Sequence, residues 1–377
     1  MATFSTTAPA RLATRLTFFT AGFAMACCAP LFPFIKDNVG ADEPQFGLLL
    51  LCFGLGSIIA MPLTGFVAAR HGPRSMVLLG GFGLVIFLPT LTIAETPFIL
   101  GSFLFLFGAS LGTIDVAMNI HGVAIEAAEK RSLMSNFHAQ FSIGGLFGAG
   151  LMTLLLSAGA PLVVTAAIGA TLALLAMLLT IPRLLHVKVA DQSTFVFPHG
   201  IVLLLGLLAA IAFLVEGAVL DWGALLVIER QLTTPQSAGV GYILFSAAMV
   251  IARLTGDFVV AALSELWVLI LGGIVTILGI ATVLLAPLPL VALVGFVLIG
   301  LGSANLVPIF FSVAGRQTVM PTSLAIASVT TIAYSGVLVG PAMIGFAADL
   351  TSLPMAFWLL TLLIACVPFT AFVVTKH

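Results

Sequence analysis

Charge is what this sequence has least of. Of 377 residues only 13 are Lys or Arg and 14 are Asp or Glu, 7% of the chain against 61% hydrophobic. Soluble domains carry about 25% charged residues, so a freely soluble protein is excluded, and a mean hydropathy of +1.27 agrees. The formal net charge of −1 offers no basic surface, so no nucleic-acid partner is expected. Cysteine is scarce as well. Cys27, Cys28, Cys52 and Cys366 lie in apolar runs, and adjacent Cys27 and Cys28 point to different helix faces. They read as small buried residues rather than as a disulfide or metal set. The polar stretches are too short for a soluble catalytic domain, and no nucleophile triad or metal-ligand spacing stands out. Neither an enzyme nor a cofactor is expected.

Long apolar runs are what the sequence has instead. A helix needs about 20 apolar residues to cross roughly 30 Å of hydrocarbon. Breaks at charges, Pro and Gly divide the chain into twelve such segments: 14–36, 44–69, 74–94, 97–125, 132–157, 161–182, 199–228, 236–261, 266–286, 288–314, 320–348 and 353–374. The alternating pattern of barrel strands is missing, so the spans are helices. The first run is followed at once by others and reads as span one, not as a cleaved signal. The fold class is therefore an all-α membrane protein.

Basic residues orient the chain. With a cytoplasmic N-terminus, Arg11, Arg15, Arg70, Arg74, Lys130, Arg131, Arg183, Lys188, Arg316 and Lys376 fall on the inside, and only Lys36 and Arg230 outside. That is the positive-inside pattern, with both termini in the cytoplasm. The one linker-like stretch, Leu184 to Pro198, divides six spans from six. The expected domains are a six-helix bundle over 1–183, a cytoplasmic linker over 184–198 and a second bundle over 199–377.

The halves also resemble each other. Pro44-Gln45 aligns with Pro235-Gln236, Leu63-Thr64-Gly65 with Leu254-Thr255-Gly256, and Leu111-Gly112 with Leu301-Gly302. Asp115 then stands opposite Asn305, and Gly144 and Gly148 opposite Gly336 and Gly340. Repeated six-helix units are the layout of transporters that bind their solute at mid-membrane between the halves.

Between spans two and three the chain reads Gly65-Phe-Val-Ala-Ala69-Arg70-His71-Gly72-Pro73-Arg74. This resembles the signature of the major facilitator superfamily at Gly65, Arg70, Gly72 and Arg74, while Ala69 replaces its acidic residue and Pro73 one basic residue. Further strings are similar to a bacterial branch related to fucose-permease-type and rhizopine transporters: DVAMNIHG from Asp115, HAQFSIGGLFGAG from His138, EGAVLDW from Glu216, NLVP from Asn305 and TTIAYSGVLVGP from Thr330. The resemblance covers essentially the whole chain. It implies twelve helices in two bundles and transport of a small solute. It also implies that span four lines the cavity, and that a missing acidic residue weakens the usual charge latch between helix ends.

Charges inside apolar spans are expensive, so each is a functional candidate. Asp115 and Asn119, four apart, share one face of span four. A carboxylate with an amide one turn away suits hydroxyl or amine recognition, with a structural bond to a neighbouring helix as the alternative. Glu216 and Asp221 lie on adjacent faces of span seven, followed by Trp222, which offers a flat stacking surface. Asp115 and Glu216 are the candidate proton carriers, and Asp221 near the outer end is either a ligand or a gate. His138, near the start of span five, either relays protons or packs against Glu126 and Glu129. His121 reads as a boundary residue. Arg253 and Asp257 form an i, i+4 pair that, with Arg70 and Arg74, suits an inward gate. Asn305, Thr330, Thr331 and Tyr334 are neutral groups that suit the second half of a cavity.

The expectation is a monomeric, multi-pass secondary transporter of the bacterial inner membrane. It moves a sugar-like or polyol solute with protons by alternating access, with membrane lipid as its surroundings. The rivals are a proton-antiport exporter of the same fold and, more remotely, a membrane sensor.

Overall fold

The structure is a computed structural model describing residues 8–185, 197–234, 237 and 239–376. Most of the linker, including Lys188, and the aligned Pro235 and Gln236 lie outside the described residues. Among the described residues twelve α-helices follow one another: α1 (Ala8–Asn38), α2 (Glu43–His71), α3 (Pro73–Thr90), α4 (Pro97–Glu129), α5 (Met134–Ser157), α6 (Leu162–Thr180), α7 (Gly200–Glu229), α8 (Val240–Leu285), α9 (Pro289–Ser303), α10 (Leu306–Arg316), α11 (Thr322–Leu350) and α12 (Leu353–Val374). No strand occurs among the described residues.

Local chemistry places the boundaries. Asp42 and Thr96 accept from the backbone N–H of Gln45 and Ile99, capping α2 and α4 ahead of a Pro in the first turn. Gly72 ends α2 and starts α3 at φ +79°, a conformation that favours glycine, which accounts for the Gly of the Arg70-His71-Gly72 turn.

Two departures from twelve single helices have physical causes. Helix α8 holds 46 residues, about 69 Å at 1.5 Å per residue and twice a bilayer core. It is two spans joined at a kink at Ser264, φ +73°, matching the runs 236–261 and 266–286. The run 288–314 is instead split into α9 and α10, with Ala304 and Asn305 between them. Pro308 is the cause, because its ring opposes the carbonyl four residues back, Ala304, and it has no N–H to donate there. Among the described residues eleven helices are long and apolar enough to span a membrane; counting α8 twice and α9–α10 once gives twelve spans.

Two compact units form. The first holds residues up to Lys130, Phe137–Phe197 and Met320–Ser328; the second holds Arg131–Asn136, Pro198–Val319 and Val329–His377. Helix α5 thus begins in the second unit, and α11 begins in the first. Within each unit glycine sets the closest helix crossings. A Cβ on Gly108 of α4 would overlap the Phe53 carbonyl of α2, and one on Gly300 of α9 the Phe245 carbonyl of α8. Likewise Gly144 meets Phe19 of α1, and Gly336 meets Ala210 of α7. The same close crossings therefore recur at corresponding positions of the two halves, as small residues permit in a bilayer.

Candidate functional site

In the first unit the buried polar centre is α4. Asp115 is 6% exposed and Asn119 1%. The Asn119 amide nitrogen donates to the Asp115 main-chain carbonyl at 2.9 Å and approaches its carboxylate at 3.4 Å. This fixes the amide: a flip would set oxygen against oxygen. Its Oδ1 is left buried without a partner. Helix α4 itself is fixed by Ser57, whose hydroxyl donates to the Gly108 carbonyl at 2.8 Å, and by Thr64 donating to Thr113.

His138 of α5 is buried beside Phe18 of α1, ring centroids 5.2 Å apart. The two basic residues of the α2–α3 turn make contacts within their own unit. The Arg70 guanidinium stacks on Phe66 at 4.0 Å, and Arg74 reaches the Ile181 carbonyl at 3.4 Å.

His121 is no boundary residue. It is 1% exposed and ties three segments together. Its Nε2 accepts from the Leu185 N–H at 3.0 Å, so Nδ1 carries the proton and donates to the Thr14 hydroxyl at 2.9 Å. Thr14 passes its own hydrogen to the Ala10 carbonyl. A neutral imidazole in one tautomer satisfies every member. The apolar sequence continuing past it through Val123 and Ile125 was the available signal.

In the second unit the centre is a buried ion pair. Arg253 of α8, 6% exposed, donates through Nη2 to Glu216 of α7 at 3.0 Å and through Nε to the Ala304 carbonyl at 3.1 Å. Sequence spacing had set Arg253 against Asp257; the structure also brings it to Glu216. Asp257 accepts from the Asn136 N–H at 3.3 Å, at the first turn of α5. Asn305 donates its amide to the Ala252 carbonyl at 3.4 Å, which leaves its own Oδ1 buried and unpaired.

The remaining candidates are more dispersed. Asp221 is exposed. Trp222 is half-buried against Gly345 of α11, its indole N–H buried without a partner. Thr330 is fully buried, Thr331 partly so, and Tyr334 packs edge-on against Phe213 of α7 at 6.2 Å. A cavity of about 610 Å³ beside α3 and α4, lined by Leu79, Phe82, Ile86, Leu106 and Ala109, contains none of the candidates. Among the described residues no His, Cys, Asp and Glu group is arranged to hold a metal.

Known proteins resemble this chain in sequence and in fold. An uncharacterized MFS-type transporter of Yersinia pestis is 44% identical over 97% of this chain and 96% of its own. The Escherichia coli fucose:proton symporter FucP has the same fold, with a TM-score of 0.78 at 16% identity over 96% of this chain and 98% of its own. The human organic anion transporter MFSD10 does too, at 0.80 and 14%, over 96% and 99%. The family model of the Major Facilitator Superfamily matches residues 16–227. With a relative this similar along nearly its whole length, the chain belongs to the major facilitator superfamily, a multi-pass membrane transporter and not an enzyme.

Proposed function

We propose that this transporter carries a small hydroxyl-rich solute, sugar-like or a polyol, coupled to protons and by alternating access. One observation carries the reading. Asn119 and Asn305 each lock their amide nitrogen onto a main-chain carbonyl and so present a buried, unpaired oxygen. Unpaired buried acceptors cost about 1–3 kcal/mol each, a cost that a ligand rich in hydroxyl donors removes. Asp115 and Glu216 stand one turn from Asn119 and across the Arg253 contact, respectively, as carboxylates within spans, Asp115 buried and Glu216 partly so. Groups so placed mark solute and proton pathways. The fold likeness to a fucose:proton symporter supports the same reading.

Tyr334, Thr330, Trp222 and Asp221 are assigned to solute contact, and His138 to proton relay. Arg70, Arg74 and Asp257 are assigned to the inward gate. We place the protein in the bacterial inner membrane with both termini cytoplasmic. The rival, proton-antiport export, draws on the fold likeness to an organic anion transporter.

The test is a thermal-shift screen of purified protein against sugars, polyols, amino acids and lipophilic ions at two pH values. A ligand at 100 times its Kd stabilises the folded state by about 2.7 kcal/mol. The proposal expects a sugar or polyol to raise the melting temperature in wild type and not in Asp115→Asn. Shifts from lipophilic ions alone would favour export.

A further inference from the structure

The cavity beside α3 and α4 lies apart from every solute and proton candidate, and its lining has its own chemistry. It is a groove because small residues make its floor. A Cβ on Gly83 would overlap the Ser110 hydroxyl, and Ala109 adds only a methyl. Leu79, Ile86 and Leu106 rise around that floor as exposed apolar rims. The hydroxyls along it are engaged within the protein. Ser75 donates to the Gly72 carbonyl at 3.4 Å, Ser110 to the Leu106 carbonyl at 2.7 Å, and Thr113 accepts from Thr64. Such a lining repels water. Left empty, about 610 Å³ would forfeit the dispersion contacts of a close-packed surrounding. In a bilayer an acyl chain is the apolar, flexible filler at hand.

The two ends of the groove are unlike. Along α3 it runs from Ser75 to Phe87, about 18 Å at 1.5 Å per residue, slightly more than one leaflet of a roughly 30 Å core. At its first end the bond from Ser75 to Gly72 opens it onto the α2–α3 turn. That turn is basic. Arg70 and His71 are exposed, Arg70 lying over Phe66, and Arg74 reaches the Ile181 carbonyl two residues from Arg183. Ala69 stands where the superfamily signature has its acid, and from Pro44 to Ala94 the sequence holds no Asp or Glu. Helix α6 carries none either. On α4, Asp115 is buried beside Asn119, and Glu129 pairs with Arg11. Gly72 gives α3 no side-chain cap, and a helix N-terminus favours an anion.

We infer that this groove is a binding site for an anionic phospholipid, one acyl chain lying between α3 and α4 and the phosphate at Arg70 and the first turn of α3. A free phosphate makes no use of the groove, and a neutral lipid makes none of the basic turn. One molecule carrying both parts answers both. With the termini cytoplasmic, as proposed above, the turn lies in the inner leaflet, whose anionic lipids give that surface its negative potential. The inference is independent of the solute and of its coupling.

The experiment is native mass spectrometry of the full-length protein released from mixed micelles of phosphatidylglycerol and phosphatidylcholine with identical chains. The fraction of protein carrying each lipid is read for wild type, Arg70→Gln and Ala109→Phe. Wild type is expected to retain phosphatidylglycerol about fivefold or more over phosphatidylcholine, the factor that one basic group supplies near anionic lipid. Arg70→Gln is expected to lower that preference about fivefold. Ala109→Phe fills the groove, leaves every charge in place, and is expected to lower phosphatidylglycerol retention by as much or more. Leu79→Trp, on the exposed rim, takes its place if that variant does not fold. Equal retention of the two lipids in wild type, or retention untouched by either substitution, overturns the inference. So does full displacement of phosphatidylglycerol by inorganic phosphate, the mark of an anion site that makes no use of the groove. A lipid-free dimer that Ala109→Phe dissociates would overturn it as well, and would assign the groove to a second copy of the chain. None of these results touches the transport reading, which the solute screen tests separately.

Discussion

Arg253 and Glu216 show how one residue's environment sets the cost of losing it. Breaking a buried pair from one side costs about 3–5 kcal/mol, because the partner's charge stays behind uncompensated. The Glu216 side chain is 19% exposed, which places Glu216→Gln at the low end, about 3 kcal/mol. Glu216→Gln with Arg253→Met together should recover part of that loss, read as the melting temperature of the purified protein. A double variant no more stable than Glu216→Gln alone would contradict the pairing. His121 makes a second case. Replacing it with Leu strands the Leu185 N–H and is expected to cost about 1–3 kcal/mol, whereas a boundary histidine would cost almost nothing. Neither effect is visible in sequence. Spacing four residues apart pointed from Arg253 to Asp257, but a helix-to-helix partner 37 residues away is fixed only by packing.

Helix boundaries, by contrast, were legible. A span needs an unbroken apolar run, and capping residues such as Asp42, Thr96 and Ser352 mark its start. The split of α9 from α10 was written in Pro308, yet a proline inside an apolar run also fits an unbroken helix, as Pro62 in α2 shows. At this scale Pro308→Ala should restore the helix bond to Ala304 and take that carbonyl from Arg253. Thermal stability is expected to hold or rise while transport falls; transport at the wild-type rate would separate the break from function. Glycine gives a matched pair. Gly108→Ala drives a methyl into the Phe53 carbonyl and should cost about 1–3 kcal/mol. Gly150→Ala meets nothing within 4 Å and should stabilise α5 by about 0.5–1 kcal/mol, the ordinary gain of alanine over glycine in a helix.

For the molecule as a whole, hydropathy made the span count accessible and the Gly72 turn made the family accessible, because both follow from local physics repeated along the chain. The pairing of candidates was not accessible, since it depends on which faces meet. Basic residues at alternate turns predict that a reporter fluorescing only in the cytoplasm will light when fused after His377; a dark fusion would invert the orientation. The proposed function is coupled movement of protons and a hydroxyl-rich solute. Its most direct test is proton flux in proteoliposomes, followed with a pH-sensitive dye as sugars and polyols are added one at a time. At least one is expected to draw protons across the membrane with it, and Asp115→Asn or Glu216→Gln is expected to abolish the proton signal. Solute uptake with no proton movement, or proton movement intact in both variants, would contradict it.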